Sequence, residues 1–199
     1  MLAGGEGLDQ AKKHNRKIMI TDVAIEKVPY VQVPGFSEQL CKAIQEKHKS
    51  LLRIAQQEND SNEVLAVWRA DVDRAVYVLG TEHHVNAASS PEAYGLFATS
   101  DAFSLMYLHN HPSTSKFSLY DIADFIRYRQ LGLISVVTNQ GNVYILKKMP
   151  DWGYTFKQAW KLFHGAYAHF AADEWTHEKT VDWILKNSKE GGIAYVKGV

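Results

Sequence analysis

Across 199 residues, 22 basic side chains balance 22 acidic ones, so the chain carries no net charge to draw it to nucleic acid or to an anionic membrane. The length suits one domain with appendages, and the lone Cys41 excludes an internal disulfide and favours a reducing compartment. No apolar run reaches the ~18 residues that span a bilayer, and the glycine-rich start has no secretory pattern, so a cytoplasmic protein without a membrane partner is expected.

Taken in order, residues 1–35 hold a basic patch from Lys12 to Lys17 and a β-like stretch from Lys17 to Val23, without a motif. Ser37 to Asn59 predicts an amphipathic helix that turns Leu40, Ile44, Leu51 and Ala55 to a core. Glu63 to Trp68 and Ala75 to Gly80 predict the two strands of a hairpin around the polar turn 69–73, and Pro91 opens a short helix. The nearly all-apolar run Phe103 to Leu108 predicts a strand buried on both faces. After a polar loop, Ser118 caps a helix with apolar residues at 119, 122, 125, 126 and 131, closed by Gly132. Ile134–Thr138 and Asn142–Leu146 flank a Gln140-Gly141 turn. Beyond Pro150, the stripe Phe156, Trp160, Phe163, Tyr167 and Phe170 predicts a helix packed on the domain, a cover that Trp183 and Ile184 continue. This order of elements gives an α+β fold, a mixed sheet packed with helices. It divides into an N-terminal extension with one helix (1–60), a core (61–148) and a C-terminal helical extension (149–199).

The chemistry concentrates between His109 and Asp121. Side chains of an extended chain alternate, so His109 and His111 share one side of the strand and Asn110 takes the other. Pro112 ends the strand, and Asp121 falls in the first turn of the next helix, near the strand end that carries the histidines. Two neutral imidazoles, one carboxylate and a water suit a four-coordinate zinc with an open position. Ser-x-x-Asp is equally a capping box, in which the acid serves the helix end alone. The other histidines lack chelating spacing: His83 and His84 are neighbours, and His164 and His169 lie five apart. With His14, His48 and His177 they read as surface or packing residues.

The succession strand, His109-x-His111-Pro112, polar loop and Ser118-x-x-Asp121 resembles the JAMM (MPN-plus) metalloproteases. The wording His-Asn-His-Pro-Ser is closest to the bacterial RadC-like branch and to JAB domains of phage and mobile elements. The resemblance covers about residues 62–148 and implies an MPN/JAB, cytidine-deaminase-like core. It implies zinc held by His109, His111 and Asp121, with Ser118 stabilising the tetrahedral intermediate and a glutamate on an earlier strand as general base. Glu63 is the candidate for that base and Glu82 its competitor. The chain is one residue shorter than the usual family spacing between His111 and Asp121, a difference that falls in the loop, where length changes are tolerated. Asp124 is a substitute ligand that loses the relation to the serine.

Three readings follow. The first is a zinc peptidase or isopeptidase acting on a protein or peptide substrate, a ubiquitin-like conjugate among them by family analogy. The second is a binding module of the same fold without hydrolysis, to which the short loop points. The third is a DNA-associated role as in RadC relatives, against which the neutral charge balance argues.

Overall fold

Nearly continuous apolar runs build the central strands, which are buried on both faces, and apolar stripes of helical period build their cover. In the computed structural model, which describes residues 17–198, the helices are α1 (Asp22–Glu26), α2 (Glu38–Glu58), α3 (Pro91–Thr99), α4 (Leu119–Arg127), α5 (Trp152–Ala171) and α6 (His177–Asn187). The strands are β1 (Val64–Arg69), β2 (Arg74–Leu79), β3 (Leu105–His111), β4 (Leu131–Thr138), β5 (Val143–Lys148) and β6 (Ile193–Gly198). They form one open sheet in the order β2-β1-β3-β4-β5-β6. Only β3 and β4 run parallel; every other neighbouring pair is antiparallel. The fold is α+β, with a mixed six-stranded sheet between helical layers.

Strand alternation sorts the core into two halves. On one face, Ala66, Leu108, Leu133 and Ile145 pack with α1 and α2, whose Leu51, Leu52 and Ala55 are sealed from solvent. On the other, Leu65, Val67, Ile134 and Leu146 meet α3, α4, α5 and α6. A strand–helix–strand crossover, β3–α4–β4, joins the two parallel strands, so α4 runs back along the sheet from the end of β3 towards its start. This return places successive turns of α4 beside successive same-face residues of β3.

Several sequence expectations are met at their caps. Ser37 opens α2 by accepting the Leu40 N–H at 3.2 Å, and Asn59 ends it. Others need correction. Lys17 to Val23 is not a strand: the backbone of 17–21 spends its bonds elsewhere, Ile18 N–H on the Pro112 carbonyl (2.6 Å) and Ile20 N–H on Ser61 Oγ (3.0 Å), after which Thr21 caps α1. Residues 12–16 of the basic patch and His14 lie outside the described residues. The strand expected from Phe103 begins at Leu105 and continues through His111.

Gly132 does not close α4, which ends at Arg127, but sits inside β4. A Cβ there would lie 2.4 Å from the Phe103 carbonyl oxygen, so close backbone approach, not a helix cap, is what demands glycine. The C-terminal extension is helical only in part, because Ile193–Gly198 pairs with β5 as the sixth strand.

Candidate metal centre

The parallel pairing of β3 with β4 holds His109 opposite Val136 and His111 opposite Thr138, and alternation turns both imidazoles to the α4 face. The rings meet at 65° with centroids 4.9 Å apart. Their Nε2 atoms lie 3.2 Å from each other; His109 Nε2 is 3.4 Å from Asp121 Oδ1, and His111 Nε2 is 3.6 Å from Asp121 Oδ2. A single tetrahedral zinc with N and O bonds of ~2.0–2.1 Å requires ligand edges of ~3.3 Å. The donor triangle matches that requirement in type and in size. Among the described residues these three form the one group with metal-ligand spacing.

Second contacts fix the orientation. His111 Nδ1 faces the Ser115 carbonyl at 3.3 Å and Ser115 Oγ at 3.1 Å, so a proton on Nδ1 has an acceptor and Nε2 keeps its lone pair for a metal. Asp121 takes part in a full capping box: its Oδ2 accepts the Ser118 N–H at 2.6 Å while its own N–H donates to Ser118 Oγ at 3.1 Å. The plain capping reading and the ligand reading are therefore compatible, since the cap pins the carboxylate that the histidines face. Burial acts against the Asp121 charge, yet His109 and His111 outweigh it and hold the carboxyl well below its usual range. The same pairing raises the His111 imidazole despite its burial.

Glu63 precedes β1. The antiparallel register sets Leu65 across from His109, and Glu63, two residues before Leu65, lies where His111 and His109 both act on its charge. Glu63 is 9% exposed, and burial raises its pKa against the pull of His111 and His109. Glu82 also borders the cleft, but from the loop after β2, where no strand register fixes it. Asp124 lies one turn beyond Asp121 and outside the donor triangle.

A polar network on the opposite face braces this geometry. Asn110, wholly buried between the two histidines, accepts the Val64 N–H at 2.7 Å and donates to the Asn62 carbonyl at 3.1 Å, gripping the backbone on both sides of Glu63. It also donates to Asn139 Oδ1 at 2.8 Å, and Asn139 Nδ2 reaches the Ile18 and Ser61 carbonyls at 2.7 and 2.9 Å. Alternation alone places Asn110 on the far face and does not disclose this role. The missed signal is that a polar side chain on a strand buried on both faces must find partners.

The triangle opens into a cleft of about 990 Å³ bordered by α3, α4, the loop after β2, and His177. His83, His84 and His177, read from sequence as surface or packing residues, line this cleft. Asp121 and His111 both act on the charge of His177, at the first turn of α6. An ion pair between Lys116 and Asp182 ties the loop between the metal-ligand candidates to the same helix. Compared with protein-family models, curated proteins and solved structures, the chain gave no significant match.

Proposed function

We propose that this protein is a zinc-dependent peptidase or isopeptidase of the JAMM type, built on an MPN/JAB-like core. The observation that carries the reading is the meeting of His109, His111 and Asp121 at ligand separations, with buried Glu63 across the strand and an open cleft in front. His109, His111 and Asp121 would hold the ion, which when bound supplies Lewis acidity to a carbonyl and acidity to a water.

The remaining work falls to the chain. Glu63, its carboxylate made more basic by burial, accepts a proton from the attacking water and passes it to the leaving amine as the C–N bond breaks and the C–O bond forms. Ser118 Oγ accepts the Asp121 N–H and keeps its own O–H to donate to the oxyanion developing on the substrate carbonyl. The Asn110 bonds hold the Glu63 backbone at a fixed distance from the histidine strand. The substrate is a peptide or isopeptide bond of a protein; a ubiquitin-like conjugate comes from the family resemblance.

Glu63→Gln tests the assignment. It should lower hydrolysis of a quenched fluorescent peptide or a ubiquitin-like isopeptide by at least about 10²-fold while zinc content stays at the wild-type level. Unaltered hydrolysis with zinc retained would remove Glu63 from the role of base. A second reading, a binding module without hydrolysis, draws on the reciprocal Ser118–Asp121 cap, which satisfies the acid without any ion. Zinc-independent capture of a partner by wild type and Asp121→Asn alike would favour it.

A further inference from the structure

The cleft continues past the donor triangle. Tyr107 precedes His109 by two residues on the same face of β3, ~6.7 Å along the strand. Because α4 runs back beside β3, the turns after Asp121 bring Asp124 and then Tyr128 alongside that part of the strand. From α3, Phe97 completes the wall, with its ring 5.0 Å from Tyr128 at 84° and 6.3 Å from Tyr107. All four residues line the cleft.

This end and the opposite one differ in charge. Lys17, ion-paired with Asp60 at 2.8 Å, enters beside Pro112, where Ile18 N–H bonds the Pro112 carbonyl, and so lies beyond His111. His84 acts on Glu63, and His177 on Asp121 and His111, so the basic groups gather at the His111 end. At the Tyr107 end the charge is Asp124. Its carboxylate is partly desolvated and has no ion-pair partner among the described residues; Arg127, on its own helix, is exposed and acts on it only through the field. Aromatic faces beside an unpaired carboxylate complement a cation on a flexible apolar stem.

We propose that Phe97, Tyr107, Tyr128 and Asp124 form a subsite for a lysine or arginine side chain of the substrate, next to the scissile bond. The proposal rests on the peptidase reading for its position relative to that bond, but the recognition itself requires neither zinc nor turnover. Capped pentapeptides Ala-Ala-Xaa-Ala-Ala, with Xaa lysine, ε-N-acetyl-lysine or glutamate, would be titrated calorimetrically into the full chain carrying Glu63→Gln, with and without Asp124→Asn. The expected result is lysine favoured over its acetylated form by about tenfold, glutamate weakest, and the lysine preference reduced to less than about twofold by Asp124→Asn. Asp124 is exposed, so this variant should keep the wild-type melting temperature; Tyr107→Leu, which removes the phenol while filling the space, should lower the preference independently. Equal affinities, no binding of any peptide, or a preference unchanged by Asp124→Asn would each overturn the subsite. Absence of zinc or of hydrolysis in the wild type would instead overturn the catalytic reading and leave the peptide preference measurable.

Discussion

His48 shows how far a residue's surroundings can override its ordinary chemistry. It sits 1% exposed on α2, bonded through Nε2 to Ser135 Oγ at 2.7 Å, and burial, with a smaller contribution from His109, lowers its pKa from 6.5 to about 3. The unfolded chain therefore binds a proton between those values that the folded chain refuses. This contribution of His48 is fully present above pH 6.5 and declines as pH falls from 6.5 towards 3, by at most about 1.4 kcal/mol per pH unit. Denaturant melts from pH 7 to pH 4 should show a shallower loss for His48→Gln than for wild type; parallel curves would show that His48 titrates normally. Asn110→Ala strands the Val64 N–H, the Asn62 carbonyl and Asn139 Oδ1, and should cost on the order of 2–4 kcal/mol in the same melts. A loss under about 1 kcal/mol would mean that water replaces those bonds. The five candidate site residues were legible as residue types at motif spacing. The distances among them were not, because they depend on a strand register and on the direction of α4.

At the scale of elements, legibility followed how local the cause is. The caps of α2 and α4 are readable because Ser37 and Ser118 bond within three residues of themselves. The hairpin β1–β2 is readable from two β-prone runs, the second alternating, on either side of a polar turn. The segment 17–21 misled because its β-like composition is overruled by bonds to Pro112 and Ser61, far along the chain. Gly132 misled in a related way. A glycine after an amphipathic stripe reads as a helix cap, whereas the carbonyl of Phe103, 29 positions earlier, is what leaves no room for a side chain. Gly132→Ala should destabilise by about 1–3 kcal/mol through overpacking, measured by urea unfolding; a neutral effect would mean that the Phe103 turn yields freely.

Over the whole molecule, the sheet separates support from chemistry. The α1–α2 layer and the Asn110 network brace the back of β1 and β3, while α3, α4 and α6 frame the cleft in front. The C-terminal segment is more than a cover: Asp182 of α6 grips the loop through Lys116, His177 borders the cleft, and β6 covers the edge of β5. None of this could be read from 149–199 alone, since it consists of pairings with distant strands and loops. A chain ending at Gly192 would leave β5 as an unpaired edge and should aggregate; elution from size exclusion at the wild-type position with an unchanged melting temperature would contradict this. Among the described residues no helix is long and apolar enough to cross a membrane.

The proposed function depends above all on the donor triangle, which elemental analysis tests directly. Purified wild-type protein and Asp121→Ala would be reconstituted with zinc, desalted and measured for metal per chain. Close to one zinc in the wild type and its loss in the variant is the predicted result, because removing Asp121 leaves two imidazoles without the carboxylate that completes the set. No zinc in either protein after reconstitution, or equal zinc in both, would contradict the site on which the proposed function stands.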